Sequence, residues 1–289
     1  MAKVKDKYRH IRESKPRLYL NSFKDQIKNN VCQARLINKI HIGIDRDEFT
    51  LFYQPEYNLV TKEITGVEAL VRWVPSGNGI IYPEAFIPIA EKSQIIYQLE
   101  RMIIHKALQQ KLQWEREGLG HIELSINLSS KSLESEKDFT NIERILSSYK
   151  VNYKTIIFEI TETMVITNIN IVMERLNRLR KHGIRIALDD FGTGYSSLIH
   201  LIRLPIDIIK IDRSFIKSIP DCNGEKTITK SILGMAHGLN YKVVAEGIET
   251  KEQLKYLQQN ACEGGQGFLL CIPLPSYKVT DVIKGKKLM

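Results

Sequence analysis

Gly183 to Leu198 reads Gly-Ile-Arg-Ile-Ala-Leu-Asp-Asp-Phe-Gly-Thr-Gly-Tyr-Ser-Ser-Leu. Its core is Ile186-Ala187-Leu188-Asp189-Asp190-Phe191-Gly192-Thr193-Gly194. A short apolar run of this kind reads as a buried strand. It ends in two adjacent carboxylates and then a turn punctuated by glycine. Neighbouring residues on a strand point to opposite faces. Asp189 and Asp190 therefore converge on one region only where the strand ends and the backbone bends. Gly192 and Gly194 make such a bend easy. Two like charges held together are costly unless something positive lies between them. The simplest guess is a divalent metal ion; a solvated turn that happens to contain Asp-Asp explains this stretch, taken alone, as well.

Repetition breaks the tie. Five more apolar runs carry a polar residue at or near their ends: Val67-Glu68-Ala69-Leu70-Val71, Leu124-Ser125-Ile126-Asn127, Ile156-Ile157-Phe158-Glu159-Ile160, Ile208-Ile209-Lys210-Ile211-Asp212 and Val243-Val244-Ala245-Glu246-Gly247. Isolated charges in such apolar company are rarely buried without a partner. Several strands offering acids toward one place suggest a metal site at the end of a parallel barrel.

The spacing of the runs supports that architecture. Phe49 to Pro55 and Glu63 to Trp73 are strand candidates joined only by Glu56 to Lys62. A parallel crossover needs about a dozen residues or more, so these two strands form an antiparallel hairpin. Further on, Asn127, Glu159, Asp189, Lys210, Glu246 and Gln266 are separated by 32, 30, 21, 36 and 20 residues. Each gap accommodates a crossover, mostly one helix and its loops. The segments between read as helical: Asn141 to Tyr149, Asn170 to His182, Lys226 to Gly238 and Lys251 to Asn260. Glu84 to Gly118 is mostly helical and broken near Lys92-Ser93, and Thr250 with Gln253 fits a capping box. Alternating strands and helices argue for an α/β fold with a parallel sheet. About eight strand positions argue for a closed barrel with its first strand reversed. In such barrels the chemistry lies at the carboxyl ends of the strands, where these acids fall.

Length and composition are compatible with this. The chain has 289 residues, 43% of them hydrophobic, enough for one large domain with a packed core. No run approaches the roughly 20 apolar residues that cross a bilayer, and no apolar signal segment opens the chain. A soluble, cytoplasmic protein is expected. Cys32, Cys222, Cys262 and Cys271 form no Cys-x-x-Cys pair and read as reduced structural thiols. The seven histidines are scattered without metal spacing. The net charge of +9 is uneven: residues 1–30 hold nine Lys/Arg and three Asp/Glu. Residues 1–30 read as a basic lead-in or linker and residues 31–289 as the functional domain, opening on an amphipathic helix from Val31 to Arg46. A basic arm suits nucleic acid or an anionic membrane; the favoured reading is a solvated linker. A general nuclease, which would bind DNA or RNA in a salt-sensitive way, is set aside because the charge lies in the arm rather than among the motifs.

Those motifs resemble the EAL-domain cyclic di-GMP phosphodiesterases. The naming triplet is Glu68-Ala69-Leu70, within Glu-Ala-Leu-Val-Arg-Trp. The others are Tyr53-Gln54-Pro55, Asn127-Leu128-Ser129, Glu159-Ile160-Thr161-Glu162, Asp189 to Leu198, Lys210-Ile211-Asp212-Arg213-Ser214-Phe215, Val244-Ala245-Glu246-Gly247-Ile248-Glu249-Thr250 and Gln266-Gly267-Phe268. They run in the family's order over about residues 47 to 279. The resemblance implies a TIM-like (β/α)8 barrel whose first strand is antiparallel. It also implies hydrolysis of cyclic di-GMP to linear pGpG with two Mg²⁺ or Mn²⁺ ions. The other reading it permits is a receptor that binds cyclic di-GMP without cutting it. A homodimer, and an upstream sensor or GGDEF-type domain in a longer parent chain, fit the same family.

Carried over position by position, the resemblance makes Glu68, Asn127, Glu159 and Asp189 ligands of one ion, with Asp189 bridging and Asp190 helping to hold the second. Glu246 resembles the general base or a second-metal ligand; the two roles compete for the same lone pairs, and sequence does not choose. Lys210 would steady the water or the developing phosphate charge. Gln54, Leu70, Arg72 and Gln266 match substrate contacts, arginine's planar fork suiting phosphate oxygens. Glu162 matches the acid that holds the loop from Phe191 to Leu198. Asp212 and Arg213 read as surface charges that pair with others. Small departures, such as Glu56-Tyr57-Asn58 after Gln54-Pro55, remove no proposed metal ligand.

Overall fold

Residues 59–63 link the first two strands, and so short a connection permits only an antiparallel return. In the computed structural model, which describes residues 33–77, 79–162, 169–192, 198–219 and 223–285, this is the arrangement found. β1 (Phe49–Asn58) and β2 (Ile64–Trp73) are antiparallel, with Gln54 opposite Glu68. β3 (Glu123–Asn127), β4 (Ile156–Thr161), β5 (Arg185–Phe191), β6 (Ile208–Ile211), β7 (Lys242–Ala245) and β8 (Gly264–Gly265) follow in order, each parallel to the one before. β8 pairs antiparallel with β1 through Gly265 to Tyr57 and Gly264 to Asn58, which closes the ring. The fold is a closed eight-stranded α/β barrel with a reversed first strand. The closing seam is short, and β9 (Leu274–Pro275) reinforces it by pairing with Tyr53 and Phe52 on the same strand.

Helices fill the crossovers. α1 covers 33–45, α2 Ile87–Glu91, α3 Ile95–Arg116, α4 Ser130–Glu134, α5 Glu136–Ser147 and α6 Ile169–Lys181. α7 (Leu198–Arg203), α8 (Arg213–Lys217), α9 (Asn223–Gly238), α10 (Lys251–Gln259) and α11 (Ser276–Ile283) follow. The expected break near Lys92-Ser93 separates α2 from α3. α5 begins before the expected Asn141, because the Ser135 side chain accepts from the Asp138 N–H and caps it there. At α10 the capping box is complete: Thr250 Oγ1 accepts the Gln253 N–H, and Gln253 Oε1 accepts the Thr250 N–H. The basic lead-in, the first residues of the expected Val31–Arg46 helix, and Cys32 and Cys222 lie outside the described residues. Cys262 and Cys271 are buried free thiols.

Two apolar cores result from the period-2 pleat. The larger lies between strands and helices and includes Ile126, Phe158, Ile160, Ile186, Leu188, Ile209 and Ile211. The smaller, Ile157, Ala187, Ile208 and Val244, takes one residue from each of four consecutive strands. These four are on the opposite pleat from the outer core, so they fill the lumen.

Candidate active site

Counting two residues onward from each lumen residue identifies the site. Ile157 leads to Glu159, Ala187 to Asp189, Ile208 to Lys210 and Val244 to Glu246. Strand alternation places each of these on the lumen side, one layer nearer the carboxyl end. Register ties neighbours together: Asn127 stands opposite Glu159, and Thr161 opposite Asp189. Gln266 follows β8 directly, and its N–H donates to Ala245 O.

Lys210 is the centre of this layer. Its Nζ lies 2.7 Å from Glu246 Oε1, 2.8 Å from Glu159 Oε1, 3.2 Å from Glu68 Oε2 and 3.9 Å from Asp189 Oδ1. Burial alone would lower the lysine pKa, but the four carboxylates outweigh it and hold the ammonium well above its usual range. Gln266 Nε2 donates to Glu68 Oε2 at 2.7 Å and to Glu246 Oε1 at 3.0 Å, and Asn127 Nδ2 donates to Glu68 Oε1 at 3.1 Å. Burial works against the Glu68 charge, yet Lys210, Gln266 and Asn127 together pull its pKa below the ordinary value. The other acids go the opposite way, chiefly through burial. Glu159 is raised well above its usual value, Asp189 is raised, Glu246 goes to about 8 and Asp190 to about 6.

The two adjacent aspartates share the site through a device the sequence reading placed too late. Asp190 itself takes the left-handed φ of +54°, and the β5–β6 register shifts between Leu188 and Phe191. This bulge turns both carboxylates toward one cavity. Gly192 follows with φ +97°, and its N–H donates to the buried Glu162 Oε2 at 2.9 Å. Residues 193–197 of that loop, Gly194 among them, lie outside the described residues.

The cavity holds about 800 Å³ above this layer. Glu68, Asn127, Asp189, Asp190, Glu246 and Gln266 line it, and so do the expected substrate contacts Gln54, Leu70 and Arg72. Glu159 and Lys210 lie beneath its wall. Gln54 Nε2 donates to Cys271 O at 3.2 Å. The Arg72 guanidinium donates to Val71 O at 2.9 Å and lies over the rings of Phe52 and Tyr82. A second hollow on the outer face, lined by Arg101, His105, Lys106 and Arg144 among others, shares no residue with the site.

Several residues without a site role in the sequence line the cavity, Asp212, Arg213 and Glu100 among them. Asp212 and Arg213, which read as surface charges, both line the cavity, and Asp212 also caps α8 by accepting the Ser214 N–H. Glu100 belongs to none of the motifs. It lies on α3 between the buried Ile96, Leu99 and Ile104, is 3% exposed, and also lines the cavity. A lone acid in an apolar helical stripe was the available signal.

Oxygen donors dominate the mouth of this barrel, which fits Mg²⁺ or Mn²⁺ better than softer metals. Glu159 Oε2, Asp189 Oδ1 and Gln266 Oε1 are buried without a hydrogen-bond partner among the described residues, leaving lone pairs available. As the side chains stand, no group of three or more acids, histidines or cysteines among the described residues is arranged to hold an ion. The Lys210 ammonium lies between the carboxylates instead.

Fold and site together define a TIM-like barrel with an acid-lined pocket at its carboxyl end. The EAL domain model matches residues 37–273, and the chain belongs to the EAL family. It is 37% identical over 252 residues to the cyclic di-GMP phosphodiesterase NbdA of Pseudomonas aeruginosa, covering 87% of this chain and 32% of that protein. To the cyclic di-GMP phosphodiesterase PA2567 of the same organism it is 35% identical over 250 residues, covering 86% of this chain and 42% of that one. The chain thus spans less than half the length of these relatives. Among solved structures, the PaMucR phosphodiesterase in complex with c-di-GMP superposes with a TM-score of 0.81 at 33% identity, covering 85% of this chain and 99% of that one. No helix among the described residues is long and apolar enough to cross a membrane.

Proposed function

We propose that this domain hydrolyses cyclic di-GMP to linear pGpG with the help of two divalent cations, Mg²⁺ or Mn²⁺. The observation that carries the reading is the layer of Glu68, Glu159, Asp189, Glu246 and Lys210 at the floor of a cavity large enough for a dinucleotide. The named relatives support the substrate. Glu68, Asn127, Glu159 and Asp189 would hold one ion and Asp190 the second, with Asp189 shared; the acids would have to turn from Lys210 to do so. Such ions supply activation of a water and neutralisation of phosphate charge.

The chain's own residues do the rest. Water adds to phosphorus, the P–O3′ bond breaks and the departing O3′ takes a proton from solvent, leaving a 5′-phosphate and a free 3′-hydroxyl. Glu246, at the carboxyl end of β7 beside the other acids, takes the water's proton. Lys210 stabilises the negative charge that grows on the phosphate. Gln54, Arg72 and Gln266 orient the substrate from the cavity wall. An upstream sensor or GGDEF-type domain in a longer parent, and pairing of two copies through the loop after β5, belong to the same proposal.

Incubation with cyclic di-GMP and Mg²⁺, followed by chromatography, tests the reaction. Linear pGpG should form, and EDTA should stop it. Glu68→Ala should abolish turnover by weakening the metal site. Glu246→Ala should abolish turnover while leaving cyclic di-GMP binding measurable. Tight binding by the wild type without product would instead establish a receptor.

A further inference from the structure

The hollow on the outer face lies in the groove between α3 and α5, beside the turn at Asp47, and its volume is about 800 Å³. That is room for a small organic molecule. Three permanent cations line it, Arg101 and Lys106 from α3 and Arg144 from α5, against a single carboxylate, Asp47. The carboxylate does not use them up. Asp47 meets Lys106, but its side chain is 77% exposed, and an ion pair so open to water is weak. Arg101 gives Nη1 to Asp138 Oδ1 at 3.0 Å, and Ser135 Oγ donates to the other oxygen of that aspartate at 2.6 Å. One edge of the Arg101 fork is thereby held, and its remaining N–H groups reach no other residue among the described ones. Arg144 has less still. Its Nη1 donates to Asn141 Oδ1 at 3.3 Å, and no carboxylate among the described residues lies within 4.0 Å of it.

We propose that this hollow is a second ligand site, for a soluble organic phosphate of nucleotide size. Guanidinium forks match phosphate oxygens in pairs, and the groove offers one from each helix, with the Lys106 ammonium as a third donor. A phosphate dianion draws Lys106 from its exposed partner and brings Arg144 the negative charge it lacks. Met102 and Ile145 line the same hollow and give the organic part an apolar surface, while the Asn141 amide and the His105 ring give it polar edges. Inorganic phosphate uses the cations alone and therefore binds more weakly. None of these residues lines the acid-rich cavity of the barrel, so occupancy here is independent of the metal ligands.

Met102 supplies a local reporter, being the one methionine among the residues that line the hollow. In the whole chain, with isotope-labelled methionine methyl groups, its NMR resonance is assigned by Met102→Leu and then followed. Titration with ADP in the presence of EDTA should shift that resonance saturably. Inorganic phosphate should displace the ADP only at about tenfold or higher concentration. Arg144→Glu reverses the charge of an exposed side chain outside the acid layer. It should weaken ADP binding about tenfold or more and leave cyclic di-GMP turnover and the midpoint of thermal unfolding unchanged. Lys106→Glu should weaken ADP binding as well, which checks the same claim at a second position. No shift of Met102 at millimolar ADP, or unchanged ADP affinity in both charge-reversed variants, would overturn the site. A shift with vesicles containing phosphatidic acid but none with ADP would overturn the soluble ligand, because the same phosphate chemistry would then be met on a lipid surface.

Discussion

At Lys210 one ammonium answers four carboxylates, and the balance of terms is severe. Moving an ammonium out of water costs several kcal/mol, and removing the partner of buried charges typically costs about 3–5 kcal/mol. Glu159, Asp189 and Glu246 are already biased toward their neutral forms, which softens that penalty when protons are abundant. Lys210→Met should therefore destabilise the metal-free protein by about 3 kcal/mol at pH 8 and by clearly less at pH 5, as read from urea unfolding in EDTA. An equal loss at both pH values would show that the carboxylates are not coupled through this lysine. Glu100 makes a second prediction. Burial raises its pKa from 4.5 to about 7, so the folded state binds the extra proton. The sign follows: this contribution is fully present below about pH 4.5 and is lost as pH rises through about 7. Glu100→Gln should flatten the stability profile of the ligand-free protein across that window.

Strand β5 and the turn after it are where element geometry controls chemistry. The bulge at Asp190 points two neighbouring acids into one cavity, and the Gly192 N–H bonded to Glu162 holds the turn in place. At Gly192 the φ of +97° excludes an ordinary side chain, and a Cβ would come within 2.7 Å of Phe215 Cε2. Gly192→Ala should cost about 1–3 kcal/mol in unfolding free energy. Removal of the anchor acts differently. Glu162→Ala should lower kcat/KM about 10- to 100-fold, as loss of a group supporting metal ligands usually does. Glu162→Gln retains an acceptor for the Gly192 N–H and should recover most of that activity. If the two variants are equally impaired, the carboxylate charge matters rather than the hydrogen bond.

Over the whole molecule, closure of the ring is the weak point. β8 meets β1 through only two residue pairs, and β9 with α11 covers the rest of that edge. Val279 of α11 is fully buried, and Thr280 Oγ1 accepts from the fully buried Trp114 at 2.8 Å. Deleting residues 276–289 uncovers that tryptophan and should cost more than about 2 kcal/mol. The midpoint of thermal unfolding should fall by at least about 4 °C; an unchanged midpoint would show that α11 lies on the barrel without supporting it. Much of this architecture was legible in the chain because its determinants are local. The short link at 59–63 forces a hairpin, crossover lengths impose parallel order, and the apolar runs ending in Asn127, Glu159, Asp189, Lys210 and Glu246 bring the layer to one end. Other features had no local signature. Asp190 took a left-handed φ ahead of Gly192; Glu100 joined the cavity from α3, and Asp212 from the turn after β6. Pleat and crossover length are properties of neighbouring residues, whereas the meeting of Glu68, Glu159, Asp189 and Glu246 around one buried ammonium depends on lone pairs brought within 4 Å only when the ring closes. The chain by itself determined which groups face the mouth of the barrel, and the tertiary structure alone decided which of them touch.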